Sequence, residues 1–280
     1  MSSLKELFTF SVKRSGLNWA HIVNMQQCRY SGKRCFKVRK SQSEISIGTC
    51  TVQCGREAKD VIICPNRLTE RNQIFVDCLH LMTSHEPGNE LHLVPEVAIP
   101  GGNVDYFLIS TDADRNVKDF VGIELQTMDT TGTIWPERER ALQELGLPAE
   151  SVGYKPFGMN WKMTAKTILV QLHHKIETFE NINRHLVLVV QDCLLDYIKN
   201  EFSFTHLNST PRLGDSMHFH SYKLKEDGPD YKLVLDKRYS TDSDGISRLL
   251  GLNANTRLGF DEIARVLKAK ISDRTIFTLI

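Results

Sequence analysis

The spacing of apolar residues changes period several times along the chain, and each change marks an element. Residues 91–99 (LHLVPEVAI) and 103–110 (NVDYFLIS) are rich in β-branched and aromatic residues and read as strands. Pro100-Gly101-Gly102 between them is a turn signal. Pro95 cannot donate to a ladder, so the first strand belongs at a sheet edge or carries a bulge. Asp112, Asp114 and Asn116 make a polar turn, and residues 117–127 (VKDFVGIELQT) form a third strand, which completes an antiparallel meander. Residues 137–145 read as a short helix. Over 161–180, Ile168, Leu172, Ile176 and Phe179 recur at helical spacing and define an apolar face. Residues 185–190 (HLVLVV) are continuously apolar, as a strand buried on both faces is, and 193–202 returns to the helical period. The order strand, strand, strand, helix, strand, helix predicts an α/β fold of the α+β kind, a mixed sheet covered by helices. A hairpin over 218–239 and a helix around 260–270 close the pattern.

The N-terminal quarter is patterned differently. Residues 1–27 read as a short helical lead, and 28–66 as a loop-rich stretch with turn residues at Ser31-Gly32, Gly48, Gly55 and Pro65-Asn66. Residues 67–84 read as a joining helix with Ile74, Cys78 and Leu81 on one face. Three regions follow: an N-terminal module (1–72), a central core (73–208) and a C-terminal region completing it (209–280). A module this poor in apolar residues needs a staple, and a metal can supply one.

Cysteine usage fits that need. Six of the seven cysteines fall within residues 28–78, whereas Cys193 stands in an apolar stretch and Cys78 on a helical apolar face, both core positions. In a reducing cytosol, clustered cysteines bind metal more often than they form disulfides. Cys28, Cys35, Cys50 and Cys64 are separated by 6, 14 and 13 residues, and Cys54 offers a 3-residue spacing with Cys50. None of this makes a paired CxxC ribbon. A tetrahedral thiolate site suits zinc or iron.

Charge sharpens the picture locally. The 280-residue chain has a formal net charge of only +1, yet residues 1–71 hold thirteen Lys/Arg against five Asp/Glu. Residues 29–40 (RYSGKRCFKVRK) carry six basic side chains, Arg29, Lys33, Arg34, Lys37, Arg39 and Lys40, and no acidic one. Such a patch can neutralise backbone phosphates. No apolar run approaches the roughly 20 residues that span a bilayer, and the N-terminus lacks a secretory pattern, so a soluble cytoplasmic protein without a membrane partner is expected.

The meander also holds the candidate chemistry. If its second turn centres between Asp114 and Arg115, Asp105 lies opposite Glu124, with the Cβ atoms roughly 5 Å apart. Gln126, two residues on, shares their face. Opposed carboxylates repel unless a cation compensates, and magnesium prefers oxygen ligands. A bound divalent cation polarises a phosphoryl oxygen and activates water. The Gln126 amide can orient water or phosphate but brings no charge.

The arrangement Asp, strand, turn, strand, Glu-x-Gln resembles the PD-(D/E)XK nuclease core. It departs from the common form, with Asn103 and Val104 before the Asp and Gln126 in place of a Lys. The stretches IPGGNVDYFLIS (99–110), VGIELQTMDTTGTIWPERER (121–140) and NWKMTAKTILVQLHHKIETFE (160–180) are similar to the NotI family of type II restriction endonucleases. The same holds from Cys28 through IGTC (47–50) to IICPNRL (62–68), so the resemblance covers about residues 20–200. It implies a homodimeric, magnesium-dependent endonuclease cutting palindromic, GC-rich double-stranded DNA. It implies Asp105 and Glu124 as metal-binding carboxylates and Gln126 at the third catalytic position. It also implies an iron atom held by four cysteines, and the neighbours of Cys28, Cys35, Cys50 and Cys64 favour those four, with zinc the alternative metal. Glu96 and Glu70 are further acidic candidates, and Arg138, Arg140, Lys162 and Lys166 are candidates to approach DNA. His173-His174 reads as a helical surface pair. The alternatives are a repair or structure-specific nuclease on the same core, and a metal-stapled DNA-binding protein without catalysis.

Overall fold

The chain opens with two short strands, β1 (Leu4–Leu7) and β2 (Phe10–Ser11), so the helical lead expected over 1–27 is confined to residues 19–25. Leu4 and Leu7 are fully buried, and β1 pairs with a strand more than forty residues away. That long-range pairing overrides the local pattern. The structure, a computed structural model, describes residues 2–252 apart from Tyr154, together with Arg265, Lys268 and Ala269. But for those three, the helix expected around 260–270 lies outside the described residues.

After α1 (Trp19–Met25) come β3 (Val38–Arg39), β4 (Gln42–Ser46), β5 (Thr49–Cys54) and β6 (Lys59–Ile62). They form a four-stranded sheet, ordered β2-β1-β5-β6, and a separate β3-β4 hairpin. The stretch expected to be loop-rich thus carries four strands between its turns. The joining helix over 67–84 is broken as well. A 3-10 segment (Pro65–Asn72), a single α-turn α2 (Gln73–Val76) and a second 3-10 turn (Leu79–Leu81) replace it. Arg71 and Asn72 take left-handed backbone angles, φ 53° and 57°, which no helix continues through. Arg67 and Glu70 turn inward at this corner. Arg67 Nε lies 2.8 Å from a Glu6 carboxylate oxygen and its Nη1 lies 2.9 Å from Glu70.

The central sheet follows the expected order. β7 (Glu90–Ile99), β8 (Gly102–Thr111) and β9 (Val117–Gln126) form the meander. The small strands β10 (Thr130–Thr131) and β11 (Gly158–Met159) bracket helix α3 (Trp135–Glu144). Helix α4 (Trp161–Asn181) then leads to β12 (His185–Gln191), and α5 (Asp192–Glu201) leads to β13 (Met217–Asp227). β14 (Asp230–Thr241) and α6 (Ser243–Leu249) end the described fold. Spatial order is β14-β13-β12-β9-β8-β7. β12 lies parallel to both β9 and β13, and the other pairs are antiparallel, so the sheet is mixed and the fold α+β. β7 is the edge, one of the two placements that Pro95 allowed.

Strand alternation sorts the core onto two faces. Phe107, Leu186, Leu188 and Val190 pack with Ile168, Leu172 and Phe179 of α4. Leu108, Val121, Ile123, Val187 and Val189 pack against Ile74, Phe75 and Leu81 from the 65–82 corner. Gly122 leaves the space that the Phe179 ring occupies, so α4 sits close against β9. The first cluster also takes in Leu4, Leu7 and Val52, so apolar contact continues into the N-terminal sheet. No helix among the described residues is long and apolar enough to cross a membrane.

Candidate active site

The β8-β9 register pairs Tyr106 with Ile123, Phe107 with Gly122 and Ser110 with Asp119, the alignment that opposes Asp105 and Glu124 one step further on. The turn is built by Asp112, whose Oδ1 accepts from the backbone N–H groups of Asp114 (3.0 Å) and Asn116 (2.9 Å). A register shift does occur, between Ser110 and Thr111, but it lies beside the turn and leaves the far end of the hairpin in phase. Asp105 Oδ2 accepts from the Leu125 N–H at 2.8 Å, which ties the two strand ends together.

Asp105, Glu124 and Gln126 line one cavity of about 350 Å3 with Gln171 and Lys175 of α4. Glu124 is buried (4% exposed), and its carboxyl is pushed up to about 7, burial outweighing the pull of Lys175. Asp105 is also raised, chiefly by burial, against the Leu125 N–H and the Lys175 charge. Lys175 Nζ lies 2.6 Å from Glu124 Oε1 and donates to the Asn103 carbonyl. Gln126 Nε2 donates to the Thr127 carbonyl at 2.6 Å.

Lys175 is the site residue that sequence reasoning missed. It sits three residues after Leu172 and four before Phe179, within the apolar stripe of α4. A lysine at such a position was the available signal. The Pro100-Gly101-Gly102 turn explains how the helix reaches the site. Gly101 (φ 95°) has no room for a Cβ, because the His174 carbonyl would overlap it, so the turn rests directly on the α4 backbone.

The other acidic candidates divide. Glu96 is placed by the β7-β8 register opposite Asp105, at φ 53°, and its charge helps raise Asp105. Glu70 is structural: its carboxylate bonds Arg67 and accepts from the Leu233 N–H at 2.6 Å, away from the cavity.

The four favoured cysteines, Cys28, Cys35, Cys50 and Cys64, are all buried. A bridge between Gln27 and Arg34 closes the loop that carries Cys28 and Cys35. The Ile63 N–H donates to the Cys50 carbonyl at 2.9 Å, which brings Cys50 beside Cys64. Cys50 bonds the Cys64 sulfur and pulls that thiol down to about 6, while Cys50 itself is pushed well up. Cys35 feels the charges of Cys64 and Cys28, and Asn66 Nδ2 lies 3.9 Å from the Cys28 sulfur. Cys54 is elsewhere, in a separate cavity with Cys193 and Trp161. Cys78 packs against His220. Among the described residues, no group of three or more His, Cys, Asp or Glu side chains stands in a geometry that holds a metal ion.

The basic segment lines a groove of about 1200 Å3 through Lys37, Arg39 and Lys40. Several of its charges are already engaged. Arg34 bonds backbone carbonyls of Ser43 and Glu44, Lys37 bonds the Ile63 carbonyl, and Arg39 pairs with Glu150 and covers the Trp135 ring at 4.3 Å. Arg29 stacks over Phe10 at 4.5 Å. Arg138 is buried, paired with Glu139 and bonded to the Ile47 carbonyl at 3.0 Å, and Arg140 pairs with Glu137. Arg138 is held inside the fold, where DNA contact is closed to it, whereas Arg140 is half-buried. Lys162, Lys166 and His174 are exposed.

No family model matches the chain, and no curated protein matches it. The likeness to the NotI family therefore rests on the motifs alone. Among solved structures the chain is similar to the SfsA protein of Pyrococcus furiosus in complex with Ca2+, with 8% identity and a TM-score of 0.32. That match covers 69% of this chain and 71% of that one.

Proposed function

We propose that this chain is a magnesium-dependent nuclease acting on double-stranded DNA, with Asp105 and Glu124 as its cation-binding carboxylates. The observation that carries the reading is the shared cavity in which the hairpin register sets these two groups beside Gln126 and Lys175. Two adjacent carboxylates raised by burial are poorly compensated, and a hard cation suits oxygen donors. Magnesium is commonly held by one or two carboxylates and completes its shell with water and substrate phosphate, so two ligands fit it without a third side chain. When bound, the cation supplies Lewis-acid polarisation and water activation.

The chain's own groups supply the rest. The Leu125 N–H orients Asp105, and Lys175 orients Glu124. Gln126 orients water or phosphate through its amide. The groove lined by Lys37 and Lys40 suits a phosphate backbone. The finer reading is a type II restriction endonuclease of the NotI kind, a homodimer cutting a palindromic, GC-rich site. It rests on the motifs quoted above. Cys28, Cys35, Cys50 and Cys64 hold a structural iron in this reading, with zinc the alternative. Their burial and the thiolate-prone Cys64 support that reading, while the four sulfurs do not stand together in a metal-holding geometry in this structure.

Plasmid incubated with the protein and magnesium tests the proposal. Discrete bands support restriction cleavage, and a smear or branch-specific cutting supports the repair-nuclease alternative. No cutting leaves the metal-stapled DNA-binding protein. Cleavage that survives Asp105→Asn and Glu124→Gln would remove the site assignment. Light scattering tests the homodimer.

A further inference from the structure

We propose that Lys175 is a catalytic residue of this centre. Its ammonium pairs with Glu124 in the free protein and donates to the scissile phosphate in the substrate complex, supplying the positive charge that Gln126 lacks. The inference rests on the nuclease reading above.

Placement is the first argument. Lys175 is 5% exposed and lies inside the apolar stripe of α4, yet its side chain ends in the cavity of Asp105 and Glu124. An apolar residue there would continue the stripe without the several kcal/mol cost of desolvating an ammonium. The fold also spends backbone on seating it. The Asn103 carbonyl accepts one Nζ hydrogen and Glu124 Oε1 accepts another, and the Gly101-Gly102 turn lies against the helix at His174 and Lys175. An ammonium has three donors. Among the described residues these two bonds use two, and the third is left for a ligand in the cavity.

Charge balance is the second argument. Asp105, Glu124 and one phosphodiester bring three negative charges. A divalent cation offsets two of them. Lys175 offsets the third, and neutral Gln126 cannot. Negative charge then grows on the non-bridging oxygens as phosphorus becomes five-coordinate, and a donor aimed at them stabilises the transition state more than the ground state. Hydrolysis forms one P–O bond from water and breaks the P–O bond to the leaving sugar oxygen. One water proton passes to solvent and the leaving oxygen takes up one, which yields a phosphomonoester and a hydroxyl. Lys175 keeps its protons throughout and only donates hydrogen bonds.

The test uses the full chain and a duplex containing its mapped cut site. K175M should lower kcat by about 10²–10³-fold, the range for loss of one transition-state donor. Duplex affinity in Ca2+ should change by less than about threefold, because most phosphate contacts lie elsewhere. The double variant K175M/Q126K should recover at least about tenfold of the lost rate, since it returns an ammonium to the same cavity from β9. With Ca2+ in place of magnesium, adding the duplex should also shift the NMR signal of the Lys175 side chain. If K175M does not fold, K175Q, which keeps a donor for Glu124 and Asn103, is read the same way. Wild-type kcat in K175M or K175Q overturns the proposal, as does an unshifted Lys175 signal. A rate loss that Q126K does not recover also overturns it, by making Lys175 merely structural. A wild-type protein that cuts no DNA removes the nuclease reading itself, a result distinct from a cutting enzyme indifferent to K175M.

Discussion

Arg67→Met tests how the N-terminal sheet is joined to the rest. Arg67 is fully buried, with Nε 2.8 and 2.9 Å from the Glu6 oxygens, Nη1 2.9 Å from Glu70 and Nη2 donating to the Tyr231 carbonyl at 3.1 Å. These partners belong to β1, the 65–72 corner and β14, so one guanidinium links three elements. Methionine fills much of the same volume but leaves two carboxylates, 2% and 8% exposed, without their cation. Removing one member of a buried pair costs about 3–5 kcal/mol, and the lost carbonyl bond adds about 1 kcal/mol. At about 2–4 °C per kcal/mol for a chain of this size, the variant should melt about 10–20 °C lower at pH 7. Calorimetry reads this directly. The deficit should narrow in acid. Burial already raises the Glu6 carboxyl and Arg67 pulls it down, so losing Arg67 raises it further. A group raised in the folded state stabilises the fold when protonated, and that contribution is lost as pH rises through its folded pKa. Glu6→Gln and Glu70→Gln added to Arg67→Met should restore part of the loss. A single variant melting within about 3 °C of wild type would show that the network is not a joint.

Three further outcomes are expected. Gly101→Ala should cost about 2–3 kcal/mol, because φ is 95° and the new Cβ overlaps the His174 carbonyl; lifting the turn moves Asn103 from Lys175, so unchanged melting and cleavage would contradict this seating. Buried His218 is pushed down to about 4 and His220 well below its ordinary 6.5, with His218 Nδ1 and His220 Nε2 unpartnered. The unfolded chain therefore binds more protons below pH 6.5, and stability present above that pH is lost as pH falls towards 4. His218 alone accounts for about 3 kcal/mol, which the raised Glu124 carboxyl offsets with opposite sign over the same range, so the reading is the difference between variants: His218→Phe should remove that loss, and an identical pH dependence of Tm in wild type and His218→Phe would refute the account. Finally, Cys64→Ser should abolish bound iron or zinc by elemental analysis while Cys54→Ser retains it, and equal metal content in the two would overturn the ligand set.

Much of the central sheet was legible because its signals are local. The Asp112 side chain builds the β8-β9 turn from three residues of sequence, and the register follows from the turn. β12 shows as an unbroken apolar run because both its faces are covered. The N-terminal strands were illegible for the opposite reason. β1 has four residues and β2 two, too short for a period, and β1 is selected by pairing with β5. The joining segment carries helical spacing at Ile74, Cys78 and Leu81, yet Arg67 and Glu70 are pulled into a buried ion network that no helical path through the corner satisfies.

The site was half legible, and the missing half has one physical origin. Asp105, Glu124 and Gln126 lie on adjacent strands, where register and period 2 decide which side chains meet. Lys175 meets Glu124 across 51 residues of sequence, and that contact depends on how α4 is rotated on the sheet. Helical spacing names the apolar stripe but not the partner of a polar residue within it. Each departure is easily dismissed alone: a neutral Gln126 where the resemblance has a lysine, and a buried Lys175 where the stripe calls for an apolar residue. Together they are complementary, because the strand lacks one positive charge and the helix carries one inside its buried face. Gly122 lets α4 approach β9 closely, and the Gly101-Gly102 turn sets the helix beside the hairpin end, so the surplus charge reaches the deficit. A buried cation between two carboxylates can serve stability alone, as Arg67 does between Glu6 and Glu70, but Lys175 ends in a cavity that it shares with an uncharged amide. The coincidence of place and charge makes the pair a more informative feature than either residue.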